Sequence, residues 1–211
     1  MTALAWILLG LGGVSATSDW VGVGERWKAV EYLAKPLTMM ALVGVALALH
    51  PENPDVRPWI VVALLLSLLG DVLLMLPKDL FVAGLGSFLL AHVAYIVAFR
   101  TDGGSAAALA ISAAVVVVAA AVLGRRVVTG VRSTEPSFTA PVVAYIAAIA
   151  AMVACALATG NLLFGAGAVL FMASDSLIAW NRFVQKLSWA PLAIIVTYHL
   201  AQALLVTGMS T

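Results

Sequence analysis

Eight stretches of about twenty mostly apolar residues follow one another through this chain, roughly 1–18, 29–49, 58–76, 81–99, 105–123, 137–158, 162–181 and 188–208. Such a length is diagnostic, because a helix rises about 1.5 Å per residue and the hydrocarbon core of a bilayer is about 30 Å thick. Turn and charge chemistry separates the stretches: Ser18-Asp19, Pro51-Glu52-Asn53-Pro54-Asp55, Pro77-Lys78-Asp79, Thr101-Asp102-Gly103-Gly104 and Gly160-Asn161. Together they fill nearly all of the chain and leave no room for a soluble domain. The expected architecture is therefore a single all-α, polytopic membrane domain over 1–211 with eight transmembrane helices. A membrane barrel would need polar and apolar residues to alternate over about ten positions, and these stretches do not alternate.

Composition agrees. An average soluble domain is roughly half apolar and one-quarter charged, whereas 64% of these 211 residues are apolar and 10% charged. An ordinary soluble enzyme and a disordered chain are excluded on that basis. A net charge of +1 lacks the basic footprint of a nucleic-acid binder. The single cysteine, Cys155, lies within an apolar stretch and reads as a small buried packing residue. The first stretch carries no Lys or Arg before its apolar part, so it reads as a span and not as a signal peptide.

Basic residues orient the bundle. Arg26, Lys28, Lys78, Arg125, Arg126, Arg132, Arg182 and Lys186 fall in the connections after the odd-numbered spans, against Arg57 and Arg100 on the other side. This bias places the odd-numbered connections in the cytoplasm and both termini outside it, in a plasma membrane or bacterial-type inner membrane.

Most acidic residues, Asp19 among them, fall at span ends, where solvation explains them. Glu31, Lys35, Asp71 and Asp175 do not. A charge at the bilayer centre costs at least about 2.5–3.5 kcal/mol, so such residues usually face the bundle interior and mark function. Counted from the cytoplasmic ends of their spans, Lys35, Asp71 and Asp175 each lie roughly 7–9 Å deep. His92 and His199 lie deeper, at roughly 16 Å. The order Asp then His on consecutive spans occurs twice, which raises the expectation of two four-helix halves related by an axis along the membrane normal.

Helical spacing groups these residues into faces. Ser67 and Asp71 are four apart, so the hydroxyl is expected to bond the carboxyl. Phe81, Gly84, Phe88, His92 and Tyr95 form one stripe. Asp175 and Arg182 share a face beside Asn181, and Ser174 precedes Asp175. Tyr198 and Gln202 share another face, next to His199. Glu31 and Lys35 are spaced for an ion pair, and Pro36 is expected to bend or open the second span there. An ammonium beside a freed carbonyl suits an anion. Asp and His at these depths make a weak metal signature, because the histidines stand some 8 Å deeper than the carboxylates and no His-x3-His pair exists. No nucleotide motif or metal signature asks for a cofactor.

Lys35-Pro36-Leu37, Ser67-Leu68-Leu69-Gly70-Asp71, the Phe81/Gly84/Phe88/His92/Tyr95 spacing, and Ser174-Asp175-Ser176-Leu177 with Arg182-Phe183 resemble the YhhN-like family of membrane proteins. That family includes the animal lysoplasmalogenases, and the likeness runs from the second span to the eighth. It implies hydrolysis of the vinyl ether bond of lysoplasmalogens, with Asp71 and Asp175 as the catalytic pair. The residues suit that chemistry. A vinyl ether is hydrolysed by protonating its outer carbon, which needs an acid, and then adding water, which needs a base. Two carboxyls in one low-dielectric site can supply both. On this reading Lys35, Asn181 or Arg182 would hold the phosphate of a membrane lysophospholipid. Ser67, His92, Tyr95, Ser174, Tyr198 and His199 would support the carboxyls or the water. Two other readings use the same residues: a proton-coupled transporter of small molecules or lipids, and polar groups that merely hold helices together. A lipid enzyme needs carboxylates reachable sideways or from the inner interface, whereas a carrier needs a path to both sides.

Overall fold

The computed structural model describes residues 1–210. Eight long helices follow in order: α1 (Ala3–Gly24), α2 (Lys28–Ala48), α3 (Arg57–Met75), α4 (Phe81–Asp102), α5 (Ala106–Thr134), α6 (Thr139–Ala158), α7 (Leu162–Phe183) and α8 (Ala190–Thr207). All eight are long and apolar enough to cross a membrane.

Local chemistry sets their ends. The Thr2, Ser105 and Asn161 side chains accept from the first free backbone N–H groups of α1, α5 and α7, satisfying donors that a helix start otherwise leaves open. Gly103, Gly104 and Gly160 take positive φ at the turns out of α4 and α6. α2 runs unbroken through Pro36, which corrects the expectation that the helix opens there. Its Ala34 carbonyl, next to the lysine, is occupied by the Ser15 hydroxyl at 2.8 Å and the Thr38 hydroxyl at 2.9 Å.

Two helices outrun their expected limits by more than three residues, while α4 and α7 exceed theirs by three and two. α1 continues to Gly24 because Gly22 lets it approach Val30 of α2 closely, so helix–helix packing carries the chain past Ser18-Asp19. Asp19 is consequently fully buried, not solvated, and neither carboxylate oxygen has a hydrogen-bond partner. α5 continues through Arg125, Arg126 and Arg132 to Thr134, so these arginines stand on a helix and not in a loop.

Consecutive helices pair as antiparallel hairpins, α1 with α2, α3 with α4, α5 with α6 and α7 with α8. α4 packs on α6, α2 on α8, α1 borders α8, and α5 borders α7. A large apolar core fills the centre around Leu64, Tyr95, Phe99, Phe164 and Phe171. A smaller one of Phe81, Val127, Val131, Val142 and Phe183 lies at the end that bears the connections after α3, α5 and α7, called the basic end below.

Candidate active site

α4 starts at the basic end and α7 finishes there. Helical side chains lean toward the N-terminus of their own helix, so His92 leans toward the basic end and Asp175 away from it. They meet. His92 Nε2 stands 3.6 Å from Asp175 Oδ2, which corrects the expected 8 Å difference in depth for this pair. Tyr145 of α6 donates its hydroxyl to the same carboxylate oxygen at 2.5 Å. The His92 ring packs edge-on against both Tyr145 and Phe171.

Asp71 has a similar partner on another helix. Tyr198 of α8 donates to Asp71 Oδ2 at 2.6 Å. The Tyr198 ring lies edge-on to Phe88 and Phe171, and Phe171 reaches on to His92. A short wall of aromatic rings thus joins the two Asp–Tyr pairs. Tyr95 donates to Gln202 Oε1 just behind it. Among the described residues, no three histidine, cysteine or carboxylate side chains converge as a metal ion would require.

Asp175 borders open space. A cavity with an empty volume of about 1000 Å³ lies between α4, α5, α6 and α7. Its walls include Phe81, Phe88, Leu123, Val127, Ile146 and Met172, with Asp175, Tyr145 and Ser176 as the polar residues. Leu123 and Leu74 on its border are 56% and 37% exposed at the outer surface, so the cavity reaches that surface sideways. The lining runs from the basic end to mid-helix, where Ala120, Ile149 and Met172 mark its deepest part. An apolar space with a buried acid on its wall fits a lipid chain whose reactive bond lies near a headgroup.

Several expected residues stand elsewhere. Ser67 Oγ is buried without a partner and does not bond Asp71, and Ser174 Oγ donates to the Ile194 carbonyl at 3.0 Å. Asn181 Oδ1 accepts from the Leu187 N–H at 2.7 Å and so closes the α7–α8 connection. Lys35 pairs with Glu31 at 3.1 Å, within electrostatic reach of Asp71 but off the cavity wall. His199 Nδ1 accepts from Trp20 Nε1 at 3.1 Å, which leaves its Nε2 facing Asp19 at 3.9 Å.

Arg182 stands at the basic-end rim. Its guanidinium lies 4.0 Å from the centre of the Phe81 ring and pairs with Asp79 at 3.3 Å and Glu135 at 3.5 Å. It ties the α3–α4 and α5–α6 connections to the end of α7. The Arg182 hydrogen bond, and then that from the Phe81 N–H, holds the exposed Asp79 carboxyl below the usual carboxylate range. Because the shift is downward, the tie is intact above the ordinary carboxylate pKa and is lost as pH falls through the lowered value. Trp180 fluorescence should report that loosening in acid, and Asp79→Asn should reduce its pH dependence to the part that Glu135 carries.

Tyr145 and Asp19 are functional candidates that sequence reasoning passed over. Tyr145 was legible only as the one tyrosine in an otherwise Ala-, Ile- and Val-rich span. Asp19 was legible only if the apolar Trp20–Gly24 segment had been joined to the first span.

Eight spans, a lateral apolar cavity and an acid on its wall define an integral membrane protein with an intramembrane carboxylate site. The chain belongs to the YhhN family, whose sequence model matches residues 30–209. A protein of Mycobacterium bovis named lysoplasmalogenase is 38% identical over 183 residues, covering 81% of this chain and 67% of the relative. Human lysoplasmalogenase TMEM86B is 32% identical over 173 residues, covering 82% and 72%. The mouse TMEM86B lysoplasmalogenase is 30% identical over 189 residues, covering 89% and 78%. No solved structure matches the chain.

Proposed function

We propose that this protein hydrolyses the vinyl ether bond of lysoplasmalogens, releasing a fatty aldehyde and a glycerophospho-headgroup. The observation that carries the proposal is Asp175 on the wall of a lateral, apolar cavity, in a chain whose relatives are named for this activity. The alkenyl tail occupies the cavity and brings its vinyl ether to Asp175. The carboxylic acid of Asp175 gives its proton to the outer vinyl carbon, whose π electrons form the new C–H bond. An oxocarbenium ion remains at the carbon bonded to oxygen. Water adds there and returns a proton to the carboxylate. The hemiacetal then loses its hydroxyl proton as the C–O bond breaks, the glycerol oxygen takes up a proton, and the aldehyde departs. No electrons are gained or lost.

Asp71, held by Tyr198 behind Phe88, is the second carboxylate. It interacts electrostatically with Asp175 and supplies negative charge against the cation. Tyr145 holds the Asp175 carboxylate oxygen that does not carry the proton, and the His92 imidazole stands 3.6 Å from that same oxygen. The basic end faces the cytoplasm, with both termini on the opposite side. The carrier reading requires a path through the whole bundle, whereas the cavity that bears Asp175 opens sideways at Leu123 and Leu74.

The test is aldehyde release by the purified protein from an alkenyl lysophospholipid, beside the saturated alkyl ether as a control. Release from the alkenyl lipid alone supports the reading, and a folded protein that releases none from choline or ethanolamine lipids contradicts it. Tyr145→Phe should lower kcat roughly ten- to a hundredfold, the worth of one hydrogen bond to a charged group, with KM unchanged. Steady-state kinetics on the alkenyl substrate checks this.

A further inference from the structure

The apolar cavity has no free cation on its wall, and the arginine at its rim is already paired with two carboxylates. A second cavity, with an empty volume of about 690 Å³, lies on the other side of the α5–α6 contact. It is lined by Arg125, Thr129 and Arg132 of α5 and by Val143 and Ile146 of α6. Ala120, Gly124 and Ile146 border both cavities, and the packing of Gly124 against Ile146 closes the space between them. Gly124 has no side chain there, and a Cβ built on it would meet Ile146 Cδ1 at 3.4 Å. Among the described residues, no ion pair or side-chain hydrogen bond engages the guanidinium of Arg125 or Arg132, and both side chains are exposed. Arg126 between them turns the other way, 6.0 Å from the centre of the Trp180 ring on the first cavity's wall.

Depth places these arginines. Gly130 packs against the Phe183 carbonyl at the end of α7. Arg132 therefore stands about 3 Å beyond the level of that helix end and Arg125 about 7 Å below it. Asp175, eight residues before Phe183, lies about 12 Å below the same level. A phosphate between Arg125 and Arg132 would thus sit about 10 Å above the carboxyl in depth, on the scale of an extended path from phosphorus through glycerol to the vinyl ether carbons.

Resting on the function proposed above, we propose that Arg125, Thr129 and Arg132 form the phosphate-binding site for a single-chain phospholipid, whose tail parts the Gly124–Ile146 contact to enter the cavity bearing Asp175. Two guanidiniums seven residues apart share one helix face and offer paired donors to one phosphate. The same arginines could serve only to anchor α5 among the membrane's own phosphates, and the experiment separates these roles.

Binding is measured in detergent by tryptophan fluorescence with an alkyl lysophosphocholine, which cannot be cleaved, and with an alkylglycerol of equal tail that lacks the phosphate. Arg125→Gln with Arg132→Gln should raise the Kd for the phospholipid roughly tenfold or more and leave that for the alkylglycerol unchanged. Arg125→Lys with Arg132→Lys should retain most of the affinity. Arg100→Gln, at the opposite end, should change neither. Gly124→Leu should weaken both lipids by blocking the passage. Equal losses on both lipids in the glutamine variant, or no loss on either, would overturn the site. Displacement of the phospholipid by millimolar inorganic phosphate would also overturn it, assigning the arginines to free anions. A protein that shows the arginine-dependent binding but cleaves no vinyl ether keeps this site and loses the proposed function. One that cleaves without the arginine dependence loses this site alone.

Discussion

Asp175→Asn should reduce aldehyde release by about 10²- to 10⁴-fold, the usual contribution of a positioned general acid. The variant should remain folded. Asparagine has nearly the same shape, its Oδ1 can still accept from Tyr145, and it places no ionisable group on an apolar intramembrane wall, where charge is costly. Asparagine carries no acidic proton, however, and a vinyl ether reacts only once its outer carbon is protonated. The loss should therefore appear in kcat, with binding of the uncleavable alkyl lipid preserved. The check is kcat and lipid Kd measured on one preparation, together with its melting temperature. Activity within tenfold of wild type in a folded Asp175→Asn protein would remove Asp175 from the chemistry.

Gly130→Val should have the largest effect on stability. A Cβ at this position would lie 2.3 Å from the Phe183 carbonyl oxygen, which is backbone and has no rotamer by which to move aside. α5 would have to leave the end of α7, opening the Phe81, Val127, Val131 and Phe183 cluster that forms the basic-end wall of the cavity. Overpacking typically costs about 1–3 kcal/mol, which for a chain of this size lowers Tm by roughly 5–10 °C. Lipid affinity should fall with it, because α5 forms one wall of the cavity. Gly10→Ala supplies the contrast: nothing lies within 4 Å of a Cβ there, so it should melt at the wild-type temperature or slightly above. Thermal unfolding of the two variants in the same detergent decides the matter.

How much of this was legible in the sequence follows from what periodicity can and cannot encode. Span number and position were legible because the bilayer fixes a length, and only α1 and α5 outran their limits by more than three residues. In both cases tertiary packing kept the chain helical, α1 through Gly22 against α2 and α5 through Gly130 against α7. The cost of intramembrane charge singled out Asp71 and Asp175. The partners of these two residues were hidden. Tyr145 and Tyr198 reach them from other helices, and no spacing along one helix can show such a meeting. The neighbours that spacing did offer, Ser67 for Asp71 and Asn181 or Arg182 for the lipid, are engaged otherwise or lack a partner. Depth measured along the axis also misled for His92, because side chains on antiparallel helices lean toward one another. Arg125 and Arg132 served in the sequence only to orient the bundle. Their place beside the cavity depends on the extension of α5 past Gly124.

The most direct test of the central claim is a single-turnover reaction in D2O with the purified protein and an alkenyl lysophospholipid. Mass spectrometry would follow the aldehyde at short times. Protonation of the outer vinyl carbon predicts one solvent deuterium on the carbon next to the carbonyl, formed at an Asp175-dependent rate. No aldehyde, or aldehyde free of deuterium at that carbon, would contradict the account.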